Sequence, residues 1–180
     1  MYVKYRLETS HSDHKEPGKK ESALAENKAT IIVFSGDMDK VFAAFILATG
    51  AAAAGMDTTL FFTFWGLKAI QKGNLTGKGL MGRMLGLMNR GGIHRIGPSK
   101  FNFGGMGRWM FTKMMADKGI TPLEELRETA IDLGVHILAC NMSMGVMEIG
   151  REDLIDEVED VVGVAKFIKE AANSAIQLFI

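Results

Sequence analysis

Cysteine is almost absent from this chain of 180 residues, which contains a single one, Cys140. One thiol cannot form an internal disulfide, so the sequence excludes a small disulfide-stapled secreted scaffold and indicates a reducing, cytoplasmic setting. A single cysteine also disfavours a zinc site, and the four histidines show no spacing typical of metal ligands. The sequence therefore predicts neither a bound metal nor a cofactor.

Net charge is absent as well, because 21 Lys and Arg balance 21 Asp and Glu. A neutral chain lacks the overall positive charge that favours nucleic acid, so no nucleic-acid partner is expected. The charges are nevertheless segregated along the chain. Residues 71–118 contain nine Lys or Arg and one acid, whereas residues 119–180 contain twelve acids and four Lys or Arg. These two blocks are expected to pair within a subunit or between subunits, or to bind a partner.

The first 28 residues lack the apolar run of a signal peptide. We interpret residues 1–28 as a charged N-terminal tail and residues 29–180 as one α/β domain. The uncharged run Val41–Met56 has 16 residues, fewer than the roughly 20 that a membrane-spanning helix requires. A helix buried against a parallel sheet is therefore favoured over a membrane span.

Runs of β-branched and aromatic residues predict four strands, near residues 29–34, 58–64, 135–139 and 175–180. A fifth strand is expected either in the glycine-rich region or near residues 154–158. Helical patterns separate the strands, with Thr121 and Asp160 as predicted N-caps and Gly134 as a C-terminal stop. This alternation predicts a three-layer α/β/α fold around a mainly parallel sheet of four to five strands.

Residues 71–107 contain eleven glycines and no acid. The segment is too long for an ordinary connection between two elements of a compact domain. We interpret them as a Gly/Met-rich insertion. Met81, Met84 and Met88 share one helical face, which suits either a core helix or an adaptable partner surface. The stretch Gly77–Gly82 fits Gly-x-Gly-x-x-Gly. It does not directly follow a predicted strand, so a dinucleotide site is not predicted.

Cys140 lies where the apolar run "VHILA" gives way to the turn "NMSMG". This is the carboxyl end of the predicted third strand, the edge at which open α/β sheets bind ligands. A helical turn that starts there directs backbone N–H groups at the sulfur and lowers the thiol pKa. An inert, buried cysteine is the alternative, and position alone does not decide between them.

Three blocks of sequence point to a known family. They are "IIVFSGDMDKVFAAFILATGAAAAGMDTTLFFTFWGL", "GLMGRMLGLMNRGG" with "KFNFGGMG", and "ILACNMSMGVMEIGREDLIDEVEDVVGVAKFIKEAANSAIQLFI". In this order they resemble the DsrE/DsrF-like sulfur-relay family, in the branch also found fused to disulfide-reductase-like proteins. The resemblance covers about residues 29–180. It implies a parallel α/β fold, a homo-oligomer and a persulfide-carrying cysteine, which is Cys140 here.

The resemblance thus implies a sulfur carrier or sulfurtransferase-like protein, without establishing that it turns over as an enzyme. In that role, the resemblance implies that Cys140 accepts sulfane sulfur as a persulfide and passes it to a partner thiol. Since the chain has no second cysteine, the donor and acceptor thiols belong to other molecules, either proteins or low-molecular-weight compounds. The residues expected to support Cys140 are Asn141, Met142, Ser143, Ser35, Gly36 and Asp37.

The alternative is a non-enzymatic binding or adaptor module. In that interpretation, the basic Met/Gly-rich insertion docks a protein partner or makes peripheral contact with a membrane surface, and Cys140 is incidental. The reactivity of the thiol separates the two hypotheses. A low-pKa, accessible Cys140 favours the sulfur carrier, whereas a shielded one favours the adaptor.

Overall fold

A five-stranded sheet forms the centre of the computed structural model, which describes residues 26–180. The strands lie in the order 4-3-2-1-5, and each neighbouring pair is parallel. The predicted α/β fold is therefore confirmed, and all four predicted strands are present within a few residues of their expected bounds. The strands are β1 (Glu26–Val33), β2 (Asp57–Phe62), β3 (His136–Cys140), β4 (Asp160–Val162) and β5 (Ser174–Phe179).

Six α-helices and four short 3₁₀ segments connect these strands in the described residues. The predicted tail, residues 1–28, falls mostly outside the described range, and β1 already begins at Glu26. The helices are α1 (Met38–Ala53), α2 (Leu80–Met88), α3 (Met106–Asp117), α4 (Leu123–Asp132), α5 (Asn141–Val146) and α6 (Val164–Ala171). The 3₁₀ segments are Phe64–Ile70, Ile93–Arg95, Phe103–Gly105 and Arg151–Asp153.

The main hydrophobic core lies between one face of the sheet and helices α1 and α4. Val41 and Phe45 of α1 meet Leu60 and Phe62 of β2, and all four side chains are fully buried. Alternate residues of each strand supply this face, as the two-residue period of a strand requires. In the described part of the chain no helix has the length and apolarity to cross a membrane, and α1 is a helix packed on the sheet.

The second face of the sheet has a thinner cover. Helix α6 contributes two buried side chains, Phe167 and Ala171, to a small cluster with Phe61, Leu138 and Cys140. The Phe61 and Phe167 rings stack with centroids 4.3 Å apart. Along β5, by contrast, every residue after Ser174 is exposed. Cys140 therefore belongs to the smaller of the two clusters, beneath a helix of only eight residues.

The fifth strand is not where the sequence suggested. It is the three-residue β4, which pairs with the end of β3 so that Val162 lies beside Cys140. Asp160 therefore opens a strand and does not cap a helix; α6 begins after Gly163. The expected N-cap at Thr121 is also wrong, because α4 begins after Pro122 with no side-chain cap bond. Gly134 follows α4 with a φ of 78°, the left-handed conformation of a helix stop.

In the insertion, α2 turns its glycines inward and its large apolar side chains outward. A Cβ on Gly86 would lie 2.3 Å from the Thr76 carbonyl oxygen, so only glycine allows this close approach. Met84 and Met88 are 52% and 80% exposed. The alternative of a core helix is therefore wrong, and α2 presents an apolar surface to its surroundings.

Helix α3 carries a second set of exposed apolar side chains. Trp109, Met110 and Met114 are exposed there, as is Met106 at the start of the helix. We call the outward side chains of α2 and α3 together the methionine surface; they are Leu80, Met81, Met84, Leu87, Met88, Met106, Trp109, Met110, Phe111 and Met114. Exposed apolar side chains in this number mark interaction sites in a folded protein.

The opposite charge blocks are mostly unpaired within the subunit. Lys72 binds Asp156 at 2.7 Å, and Lys113 binds Asp117 at 3.3 Å within α3. The other seven Lys and Arg of residues 71–118 form no ion pair with any described residue. Ion pairs within one subunit therefore neutralise few of the basic residues in the segment 71–118.

Candidate functional site

Cys140 is the last residue of β3 and the residue from which α5 begins. Its backbone is extended, with φ −78° and ψ 113°. The sequence produces this arrangement because the β-forming run "HILAC" meets the helix-compatible residues "NMSMGV" with no linker. The thiol thus lies at the carboxyl edge of a parallel sheet, where the following backbone N–H groups are free to point at it.

The thiol receives hydrogen bonds from two neighbouring elements. Burial raises the pKa of Cys140, but hydrogen bonds from the Ser143 hydroxyl and N–H, the Thr63 hydroxyl and the Met142 N–H outweigh it, so the pKa is lowered overall. These donors favour the thiolate because it is the stronger acceptor. The Thr63 and Ser143 hydroxyl oxygens are 2.7 Å apart and buried. Each hydroxyl has one proton, so when one of the two donates to the other, only the second donates to the sulfur.

The structure brings some of the predicted supporting residues to the sulfur and leaves others apart. Ser143 and Met142 contact it, whereas the Asn141 N–H is not among its hydrogen-bond donors. Ser35, Gly36 and Asp37 form a separate turn after β1, in which the Ser35 hydroxyl donates to the Asp37 carboxylate at 2.9 Å. Strand β2 lies between this turn and β3, so these three residues line a different cleft.

Thr63 is the supporting residue that the sequence analysis missed. The β2–β3 register pairs Phe62 with Ala139, which places Thr63 beside Cys140 at the edge of the sheet. The threonine in "LFFTF" was the available signal. Using it requires knowing that β2 and β3 are neighbours and in which register they pair.

The two features expected to discriminate the hypotheses point in opposite directions. The lowered pKa favours a reactive thiol, yet Cys140 is only 1% exposed. The sulfur lies among Phe61, Leu138 and Phe167 in the smaller cluster. Any reaction at this sulfur therefore requires the cover on the second face to move, because nucleophilic attack needs access as well as charge.

Glu148 links the cysteine helix to the methionine surface. It follows α5, has a φ of 51°, and its carboxylate accepts the backbone N–H groups of Lys78 and Gly79 at the start of α2. Those N–H groups, Gly79 first, hold the pKa of Glu148 below its ordinary value. Two hydrogen bonds therefore tie the residue that follows α5 to the N-terminus of α2.

We expect the hydroxyl pair to set the ionisation of Cys140. Replacing Ser143 with alanine or Thr63 with valine removes donors to the thiolate and raises the thiol pKa, at a cost of about 1–3 kcal/mol in folding stability. Because the folded-state pKa is lowered, the stabilisation by these bonds is present above the unfolded-state pKa and is lost as pH falls through the folded-state pKa. The ultraviolet absorbance of the thiolate, followed against pH, measures the midpoint.

Thr63→Ser is the matched control, since it keeps the hydroxyl and should keep the low midpoint. Cys140→Ser should abolish the titration. A midpoint that is the same in Ser143→Ala and Thr63→Val as in the unaltered protein would show that these hydroxyls do not act on the sulfur.

Sequence comparison gives a consistent set of relatives. The profile of the DsrE/DsrF/DrsH-like family matches residues 25–179, which includes all five strands. The chain is 39% identical over 155 residues to the uncharacterized protein YrkE of Bacillus subtilis, covering 85% of this chain and 96% of YrkE. It is 32% identical over 160 residues to the sulfur carrier protein DsrE2 of Allochromatium vinosum, covering 87% of this chain and 100% of DsrE2.

Comparison with solved structures finds a likeness to the crystal structure of the ychN protein from E. coli. The two share 13% sequence identity with a TM-score of 0.49. The alignment covers 85% of this chain and 99% of ychN.

Proposed function

The chain belongs to the DsrE/DsrF/DrsH-like family, and on that premise we propose that it is a sulfur carrier that holds sulfane sulfur as a persulfide on Cys140. The observation that carries the proposal is the position of Cys140 at the carboxyl end of β3, beside the buried Thr63–Ser143 hydroxyl pair. Hydrogen bonds from these residues favour the thiolate and lower the thiol pKa. A thiolate is the nucleophile in sulfur exchange. The relative named a sulfur carrier supports the same role.

The proposed chemistry needs one cysteine per subunit and two partner thiols. The Cys140 thiolate attacks the outer sulfur of a donor persulfide, so that a new S–S bond forms at Sγ. The donor's own S–S bond breaks, and the donor leaves as a thiolate with that electron pair, while the proton stays on the outer sulfur. An acceptor thiolate then attacks the outer sulfur of Cys140–S–SH, and Cys140 leaves with its electron pair. No net oxidation occurs. Ser143, Met142 and Thr63 stabilise the Cys140 thiolate whenever it is the attacking or leaving group.

Burial of the sulfur fits a carrier better than an open catalyst. Cys140 is 1% exposed, so the same cover would shield a persulfide there from chance reductants, and delivery then requires the cover to open next to a partner. The cover is thin on this side, since α6 adds only Phe167 and Ala171 to the cluster. Local opening at low free energy is expected where few apolar contacts hold an element.

We also propose that the methionine surface docks a thiol protein with an acidic face. The apolar side chains provide adaptable contact area, and Arg83, Arg90 and Arg108, which form no ion pair with any residue from 26 to 180, attract negative charge. Glu148 places this surface next to the cysteine helix. The same surface favours a docking function as a second candidate. A second copy of the chain or an anionic membrane would compete with this partner for the methionine surface.

Mass spectrometry of the intact protein tests the carrier function. After incubation with a sulfane-sulfur donor, the protein should gain the mass of one or more sulfur atoms, and a reductant should remove them. Cys140→Ser should gain none, because Cys140 is the only thiol in the chain. An unmodified protein across several donors would contradict the carrier and leave the docking function.

A further inference from the structure

A histidine at the start of β3 bridges two carboxylates. The Nδ1 atom of His136 lies 2.8 Å from a carboxylate oxygen of Glu159, which precedes β4. Its Nε2 atom lies 3.2 Å from a carboxylate oxygen of Asp57, the first residue of β2. A neutral imidazole has one N–H and donates to only one of these carboxylates, whereas an imidazolium donates to both. The bridge is therefore complete only when His136 is protonated.

The other charged groups that face this imidazole line one cleft with it, which has a volume of about 500 Å³. Lys28 of β1 lies 3.9 Å from Asp57, and Lys166 of α6 binds Asp160 at 2.7 Å. Glu170 of α6 adds a further carboxylate. Four carboxylates and two lysines thus surround the ring. Loss of the imidazole proton removes a positive charge from a cleft in which carboxylates are already in excess.

The bridge holds the start of the segment that leads to the cover of Cys140. β4 is a strand of three residues at the edge of the sheet and pairs with β3. At its start, the Glu159 N–H donates to the Ile137 carbonyl at 2.9 Å. At its end, Val162 lies beside Cys140, and α6 begins after Gly163. The bridge therefore anchors one end of a short segment whose other end lies against the thiol.

Two further contacts connect this anchor with the cover. Lys166 pairs with Asp160, the first residue of β4, and directly precedes Phe167 in α6. Phe167 belongs to the cluster that buries Cys140. Leu138 lines the cleft around the imidazole and also belongs to that cluster. The surroundings of the imidazole and those of the thiol therefore share a side chain and a helix.

We propose that protonated His136 is a latch that holds β4 and α6 closed over Cys140, and that loss of its proton makes this cover open more often. The proposal rests on the carrier function, because it names what regulates access to the sulfur-carrying thiol. Histidine ordinarily changes its charge between about pH 5 and about pH 8. The closed state is therefore stabilised in acid, and this stabilisation is lost as the pH rises. A short edge strand with few contacts is an element that opens locally at low free energy.

The imidazole acts on access to the thiol and not on its ionisation. His136 and Cys140 are the first and last residues of β3. At about 3.3 Å per residue, the two ends of the strand lie about 13 Å apart. This separation exceeds the Debye length of about 8–10 Å in ordinary buffers. The thiolate absorbance of Cys140, followed against pH, should therefore be the same in the wild-type and His136→Gln proteins.

The latch is tested by labelling Cys140 with a dithiodipyridine, whose reaction is followed by absorbance, from about pH 5.5 to about pH 8. Glutamine in His136→Gln keeps an N–H donor but does not take up a proton. The ratio of its labelling rate to the wild-type rate cancels the ionisation of the thiol. At the acid end this ratio should be about three to five, as expected when a half-exposed ion pair is lost. At the alkaline end it should approach one.

His94→Gln is the matched control. His94 also pairs with a carboxylate, that of Glu124 at 2.7 Å, but it lines neither the cleft around His136 nor the cluster over Cys140. Its labelling rate should follow the wild-type rate at every pH. Glu159→Gln should label like His136→Gln, and combining the two changes should add nothing, because both break the same bridge. Glu159 has a side chain 51% exposed, so this variant serves if His136→Gln does not fold.

Equal labelling of the wild-type and His136→Gln proteins across the pH range overturns the latch and leaves the carrier intact. A ratio that changes in step with global unfolding in urea also overturns it, because a local opening exposes little surface and responds weakly to urea. A pH-dependent ratio in a protein whose Cys140 never gains sulfur from a donor sustains the latch and overturns the carrier.

Discussion

Replacing Met84 and Met88 together with aspartate should leave the protein folded and reduce sulfur delivery to an acidic thiol protein at least about tenfold. The two side chains are 52% and 80% exposed, so the new carboxylates stay in water and avoid the cost of buried charge. A docked partner would lose apolar contact at the centre of the interface and meet negative charge. The readout is the rate at which loaded Cys140 passes its sulfur to an acidic acceptor protein with one exposed thiol.

Leu133→Asp is the matched control for this pair of changes. Leu133 is an exposed apolar residue at the end of α4, 46% exposed and outside the methionine surface. Its replacement should leave both fold and delivery unchanged. Undiminished delivery by the Met84→Asp, Met88→Asp protein would remove the methionine surface from the relay. Loss of folding would mean that these side chains stabilise the subunit, contrary to their exposure.

Gly66→Ala should destabilise the fold by about 1–3 kcal/mol, the usual cost of forcing atoms into a well-packed site. A Cβ at this position would lie 2.0 Å from the Val33 carbonyl oxygen, and backbone cannot yield as a flexible side chain does. Gly66 also donates its N–H to the Phe34 carbonyl at 2.8 Å. Displacing this segment disturbs Thr63, so the thiol pKa of Cys140 should rise as well. Urea unfolding measures the stability.

Gly50→Ala should change the free energy of unfolding in the opposite direction to Gly66→Ala. Gly50 lies inside α1, and a Cβ there meets no atom within 4 Å. Alanine in a helix interior should therefore stabilise the protein by about 0.5–1 kcal/mol. Equal stabilities for the Gly50→Ala and Gly66→Ala proteins would show that the close approach at Gly66 is relieved by movement of the 3₁₀ segment.

Local sequence patterns were enough to predict the fold class, because each of the four predicted strands is a separate run of β-forming residues. There is a physical reason why β4 was not predicted from the sequence. With three residues, Asp160–Val162, it has too little length for periodicity, and only pairing with β3 defines it as a strand. The same run then resembled a helix start, since an acid precedes an amphipathic stretch. Tertiary pairing overrode the local preference there.

The parts of the site that are neighbours in sequence could be predicted, whereas the parts that depend on strand order could not. Cys140 could be placed at a strand end from its neighbours in sequence, and Met142 and Ser143 follow from adjacency. Thr63 depends on strand order and register, which one sequence does not encode locally. Strand order also explains why the Ser35 turn lines a different cleft, because β2 lies between β1 and β3.

The spacing of the methionines identified the apolar face of α2, but it did not show whether that face points towards the core or towards solvent. Apolar residues on one face ordinarily predict a buried face. Here Gly82 and Gly86 lie on the opposite face and allow the backbone to approach the domain so closely that they are the buried residues. In α2, the two glycines spaced four apart opposite the apolar stripe are what place that stripe on the outside.

The small cluster over Cys140 also has a kinetic consequence. If each transfer waits for α6 to lift Phe167 from Phe61, the opening frequency becomes the ceiling on throughput. At low acceptor concentration the flux rises with supply, but at high concentration it reaches a plateau fixed by the protein alone. Two proteins with identical thiol chemistry could then relay sulfur at different maximal speeds simply by packing this ring pair more or less tightly.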